Sequence, residues 1–250
     1  MAESAYTRRL AVSDSEVSDP PRHSAVVRLT HWITALSFFG LLVSGIAILL
    51  AHPRLYWGET GNIGTPSLID LPLPFVLDVP IRGPGRSLHF LSAWVCVLVG
   101  LFYVLYGFVS GHFRRALLPT KSQLSRGQLM HVVSNHCKLK RPTEVEASTY
   151  NVLQRLTYLA VVFVLLPLII WTGLGMSPSV TSVFPGLATV LGGQQSARTI
   201  HFFLASLLVL FVVVHVVMVY LAGFTGRVRA MITGRHVMQR SAHERLDHTP

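Results

Sequence analysis

The sequence predicts an all-α integral membrane protein: a bundle of four transmembrane helices with both termini on the cytoplasmic side. Three observations carry this. Of 250 residues, 51% are hydrophobic and only 13% are charged, where a soluble domain holds about a quarter. Four apolar stretches, 29–51, 88–110, 153–174 and 200–222, reach the roughly 20 residues that cross a ~30 Å hydrocarbon core as a helix. The basic residues alternate from side to side: 17 of the 21 Lys and Arg fall in the N-terminal segment, in 111–155 and in the C-terminal tail. An even number of spans returns the chain to its starting side, and the basic excess marks that side as cytoplasmic.

Each element follows in order. Segment 1–28 is polar and reads as a flexible cytoplasmic tail. It lacks the short basic start of a signal peptide, and the apolar run after it is too long for an h-region. That run is therefore expected to stay as an anchor. The membrane domain is 29–222. Its first outer connection, 52–87, contains Pro53, Pro66, Pro72, Pro74, Pro80 and Pro84, which block regular helix and favour turns. A loop of that length and composition is more often functional than a tether. Connection 111–152 is basic and cytoplasmic. Connection 175–199 lies outside again and is rich in Gly, Ser and Pro, and 223–250 is a basic cytoplasmic tail. The placement makes the net charge of +10 a topology signal, with lipid headgroups as a second partner. It excludes nucleic acid as the partner. Cys96 falls inside a span and Cys137 in a cytoplasmic loop, so a disulfide between them is not expected. The absence of C-x-x-C-H argues against c-type haem attachment, and no cysteine cluster suits an iron–sulfur centre.

The chain has twelve histidines. Four lie within the spans: His31, His89, His201 and His215. Ionisable groups inside a bilayer are costly and are functional candidates by default. His201 and His215 stand fourteen residues apart. At ~100° per residue they share one helix face, with Cα atoms about 21 Å apart along the axis. The alternating direction of the spans then sorts the four by depth. His89 and His201 form an outer pair, and His31 and His215 an inner pair. Two pairs at two depths suit two bis-histidine haems stacked across the bilayer, since neutral imidazole is a good iron ligand. Filled axial positions favour electron transfer over oxygen activation. Gly45 lies fourteen residues after His31, where a macrocycle could approach the first helix. The alternatives are interhelical hydrogen bonding for the histidines and plain helix contact for the glycine. A proton or metal path would call for carboxylates in the spans, and none occurs there.

The segments "RLTHWITALSFFGLLVSG" (28–45), His89 opening the second span, "YNVLQRLTYLAVVFVLLPLIIWTG" (150–173) and "IHFFLASLLVLFVVVHVVMVYLAGFTGRVRAMITG" (200–234) together resemble one family. It is the bacterial di-haem cytochrome b family. That family includes the gamma subunit of membrane formate dehydrogenase, the b subunit of nickel–iron hydrogenases and the small cytochromes b561. The outer loop "HPRLYWGETGN" (52–62) looks closest to the thiosulfate-reductase-type b subunits. The resemblance implies two haem b. The outer one would be ligated by His89 and His201 and the inner one by His31 and His215, in agreement with the depth argument. It implies a quinone site, for menaquinone or ubiquinone, near the inner haem at the Y-N-x-x-Q motif of Tyr150, Asn151 and Gln154. Asn151 also suits an ordinary helix N-cap. Haem propionates need cations or water. Arg82 and Arg86 are placed for the outer haem, and Arg28 and Arg155 for the inner one, although snorkelling residues look the same.

What the resemblance implies is a multi-pass subunit of the bacterial cytoplasmic membrane, N-in and C-in. It would relay electrons between the quinone pool and an extracytoplasmic redox protein, with a molybdopterin oxidoreductase as the expected partner. Two rivals remain at this point. One is a stand-alone b561-type superoxide:quinone oxidoreductase, against which the long proline-rich outer loop weighs. The other is a haem-free transporter.

Overall fold

The computed structural model describes residues 24–61, 64–71, 82–111, 113–114, 118, 130 and 152–234. Among these the fold is helical, with one two-residue antiparallel strand pair. The chain divides into two units. Among the described residues, one is Leu29–Ala222, and the other joins 24–28 with 223–234.

In the larger unit four helices are long and apolar enough to cross a membrane, and the chain is a multi-pass membrane protein. Helix α1 runs Ala25–Ala51. It starts four residues before the apolar run because Ser24 caps it: the Val27 N–H donates to Ser24 Oγ at 3.3 Å and the Arg28 N–H to the Ser24 carbonyl at 3.1 Å. The side-chain oxygen thus satisfies an amide that has no intrahelical acceptor. Helix α2 runs Arg82–Val109. It takes in Pro84, which the sequence assigned to the loop. A proline in the first turn loses nothing, because its missing N–H would have had no intrahelical partner.

The third span, Val152–Gly175, is designated α3. It contains a π-helical turn at Val161–Leu165, where the Leu166 N–H donates to the Val161 carbonyl. Pro167 follows directly. It cannot donate to the carbonyl four residues back, and the widened turn absorbs that mismatch. Connection 175–199 is more ordered than its composition predicts. It holds two short helices, α4 at Pro178–Thr181 and α5 at Gly186–Thr189, and then the first turn of α6, Gln194–Leu221.

The early start of α6 has a tertiary cause. Strand β1, Arg54–Leu55, pairs with β2, Ile69–Asp70, and the chain just after β1 folds over the α6 N-terminus. The Gln195 and Ser196 N–H groups donate to the Gly58 carbonyl at 3.0 and 3.3 Å. The Gln194 N–H donates to Glu59 Oε2 at 3.3 Å. The outer loop thereby supplies the acceptors that a helix N-terminus lacks. Side chains complete the clamp. Ser196 Oγ accepts from the Gly58 N–H at 2.8 Å, Thr199 Oγ1 donates to the Tyr56 carbonyl at 2.6 Å, and Arg198 donates to the His52 carbonyl. Leu55, Ser196, Ala197 and Thr199 are all buried here. The approach is close enough to require glycine at Gly193. Its φ is +110°, and a Cβ there would lie 2.6 Å from the Gly58 carbonyl carbon.

Helices α1 and α2 also come close where a Cβ on Gly40 would lie 2.5 Å from Ser92 Oγ. Outward-facing apolar residues such as Leu36, Leu101 and Leu210 are exposed. This is the arrangement expected where lipid rather than water surrounds the helices.

In the smaller unit the segment read as a tail opens with helix α7, Phe224–Thr233. Glycines with positive φ flank it, Gly223 at 95° and Gly234 at 80°. Phe224, Val228, Met231 and Ile232 recur at helical spacing, a periodicity short enough to be overlooked beside the longer spans.

Candidate functional site

The four span histidines meet in two pairs. His89 of α2 faces His201 of α6, with ring centroids 6.3 Å apart and planes at 61°. His31 of α1 faces His215 of α6 at 6.4 Å and 51°. Both separations suit two imidazoles on opposite sides of a single iron. With a metal–nitrogen bond of about 2.0 Å and a ring radius of roughly 1.1 Å, two imidazoles that held one metal ion between them would have centroids about 6 Å apart. A direct hydrogen bond between two imidazoles would instead bring the nitrogens within about 3 Å on one shared proton. All four rings are half-buried.

The His89/His201 pair is held from behind. His89 Nδ1 lies 3.0 Å from Ser44 Oγ on α1, and His201 Nδ1 lies 2.9 Å from Thr172 Oγ1 on α3. Each hydroxyl bonds its own helix as well. Ser44 Oγ donates to the Gly40 carbonyl at 2.6 Å, and Thr172 Oγ1 donates to the Leu168 carbonyl at 3.0 Å. A glycine follows each hydroxyl. A Cβ on Gly45 would sit 3.7 Å from His89 Cε1, and one on Gly173 would sit 3.5 Å from His201 Cε1. Gly45 therefore borders the histidine ring, with room for little more than a methyl on that side.

The His31/His215 pair is bordered by aromatics. Phe211 stacks on His215 at 5.9 Å and 27°, the Tyr158 ring meets His215 edge-on at 6.4 Å, and Trp32 packs edge-on against His31 at 5.2 Å. His31 Nδ1 is buried without a hydrogen-bond partner among the described residues. A buried polar atom in that state is costly, and a bound group would relieve the cost.

The remaining candidates divide. Gln154 lies in the first turn of α3, four residues before Tyr158 and so on the same helix face. Tyr150, Asn151 and the side chain of Arg82 lie outside the described residues. Arg86 is exposed one turn before His89. Arg155 donates to the Leu118 carbonyl at 3.3 Å. Arg28 belongs to the smaller unit, where its guanidinium donates to the Ile232 carbonyl at 2.8 Å. Sequence reasoning missed Ser44, Thr172, Tyr158 and Phe211. A signal for the first two was present: Ser44-Gly45 and Thr172-Gly173 are hydroxyl–glycine pairs near the same end of the first and third spans.

Comparison with known proteins places the chain in a family. The family model described as prokaryotic cytochrome b561 matches residues 22–234. A protein of Azospira oryzae, provisionally designated protein-methionine-sulfoxide reductase subunit YedZ1, is 30% identical over 217 residues, covering 85% of this chain and 96% of its own. No solved structure gives a significant match.

Proposed function

The chain belongs to the prokaryotic cytochrome b561 family, and from that premise we propose that it is the electron-relaying membrane subunit of an oxidoreductase complex. It binds two haem b. His89 and His201 ligate the outer haem, and His31 and His215 the inner one. The observation that carries this reading is the pair of ring separations, 6.3 and 6.4 Å, each wide enough for one metal ion held by two imidazoles. Bound haem supplies one-electron carriage with no open iron position. Helix α6 contributes one ligand to each pair, and its fourteen-residue interval sets their spacing at about 21 Å along the axis. Apolar side chains between the pairs keep that path dry.

Quinone, either menaquinone or ubiquinone, reacts beside the inner pair. Gln154 stands one turn from Tyr158, whose ring borders His215, and Tyr150 and Asn151 complete the motif. The amides would donate to a quinone carbonyl or accept from a quinol hydroxyl. Both termini face the cytoplasm of a bacterial inner membrane, and the outer haem faces an extracytoplasmic redox partner. The relative's designation as a reductase subunit supports such a partner, and the family resemblance favours a molybdopterin enzyme. The built outer loop, clamped to α6 with Trp57 left 60% exposed, provides a docking face that a small diffusible oxidant would not need.

Haem spectra test the ligation. His201→Ala should lose one b-type haem with the inner one retained, and His215→Ala should lose the other. Reduced spectra that are identical in the two variants, or that lack any b-type band in the wild type, would overturn the reading.

A further inference from the structure

Haem ligation uses four imidazoles and leaves the two buried hydroxyls behind the outer pair without a role. We propose that Ser44 and Thr172 are positioning residues for the outer haem: they fix the His89 and His201 rings in the tautomer that turns Nε2 toward iron, and they lower that iron's reduction potential. The inference rests on the His89/His201 ligation proposed above.

Each hydroxyl has one proton. That of Ser44 lies on the Gly40 carbonyl at 2.6 Å, and that of Thr172 is shared between the Leu168 and Ile169 carbonyls, both at 3.0 Å. Both residues are 1% exposed, so water does not compete. Toward the ring each oxygen therefore presents a lone pair, and Nδ1 must be the nitrogen that donates. The Nδ1–H tautomer leaves the Nε2 lone pair free for a metal. Back-bonding of Ser and Thr to helix carbonyls is common and would account for the helix bonds alone. It does not account for a ring nitrogen at 3.0 Å from one hydroxyl and 2.9 Å from the other.

The arrangement also occurs twice, from different residues on different helices, each time with a glycine next in the chain. The bonds form a series from ring N–H to hydroxyl to helix carbonyl, and such series polarise one another. A ring that donates into a polarised acceptor is a more basic ligand, and a more basic ligand favours ferric over ferrous iron. The buried His31 Nδ1 has no such acceptor among the described residues.

Redox titration of the purified protein tests this, with the outer haem identified as the one missing from His201→Ala. Thr172→Val and Ser44→Ala should each shift the outer haem's reduction equilibrium about tenfold toward the ferrous form, or about +59 mV for one electron. The inner haem should not move, and Thr172→Ser, which keeps the hydroxyl, should titrate as wild type. An outer potential unchanged in both Thr172→Val and Ser44→Ala overturns the proposal. So does a shift in Thr172→Ser as large as in Thr172→Val, because the lost methyl would then be the cause. If Thr172→Val fails to hold the outer haem, retention in Thr172→Ser supports the hydroxyl's role and equal loss overturns it. Unchanged haem content in both His201→Ala and His215→Ala would instead remove the ligation itself. One haem lost from His201→Ala, with unmoved potentials in the hydroxyl variants, defeats only this inference.

Discussion

Thr199→Val isolates the clamp that holds the outer loop two residues before His201. The Thr199 side chain is 1% exposed, and Tyr56, whose carbonyl it serves, is 8% exposed. Valine preserves the shape but removes the donor at 2.6 Å. The Tyr56 carbonyl is then left buried and unpaired, which costs about 1–3 kcal/mol. That corresponds to roughly a 5- to 150-fold rise in the local opening equilibrium. The strand pair carries a control. Arg54 and Asp70 form an ion pair at 3.1 Å, but their side chains are 55% and 58% exposed, and a solvated pair contributes only about 0–1 kcal/mol. Hydrogen exchange of the protein in lipid nanodiscs, followed at the Gly58 amide that Ser196 Oγ accepts, reads the difference. Exchange should accelerate 5- to 150-fold in Thr199→Val, by the same roughly 1–3 kcal/mol, and by less than about 5-fold in Asp70→Asn. Equal rates in wild type and Thr199→Val, or a larger effect from Asp70→Asn, would refute the reasoning that the dry hydroxyl and not the surface charge holds this loop.

Two further outcomes follow from the same geometry. Gly193→Ala places a methyl 2.6 Å from the Gly58 carbonyl carbon at a φ of +110°. It should cost about 1–3 kcal/mol of backbone strain, with faster exchange across 52–61, and unchanged exchange would count against the clamp. Gln154→Leu should leave both haem spectra and potentials intact while slowing quinol-driven haem reduction by about tenfold, the loss of one hydrogen bond of roughly 1.5 kcal/mol. An unaltered stopped-flow rate would place the quinone elsewhere.

Much of the site was legible before the fold. Four histidines inside runs that otherwise exclude charge stand out because bilayer burial is costly for them, and the alternating direction of the spans led to the expectation of two depths. Gly45 was legible for a related reason, its spacing from His31. Ser44 and Thr172 left only the faint trace of a glycine next in the chain, because a hydroxyl inside a membrane helix has a sufficient local explanation in bonding its own backbone. Only the approach of a second helix shows that a ring nitrogen shares the oxygen. Tyr158 and Phe211 were hidden for a similar reason, since aromatic residues in a span attract no notice until a neighbour is known.

The sequence by itself determined the class of protein, the number of spans, their approximate limits and the pairing of the histidines. Length and hydropathy set what the bilayer requires of each segment, and those requirements are local. Tertiary structure decided where the helices begin and what surrounds each imidazole. Helix α6 gains its extra outer turn because the amides of Gln194, Gln195 and Ser196 find acceptors in Gly58 and Glu59, more than 130 residues earlier in the chain. The outer histidines acquire their hydroxyl partners from α1 and α3 in the same way. A hydrogen bond between distant segments leaves no periodic trace in either one, so it becomes visible only once the chain has folded.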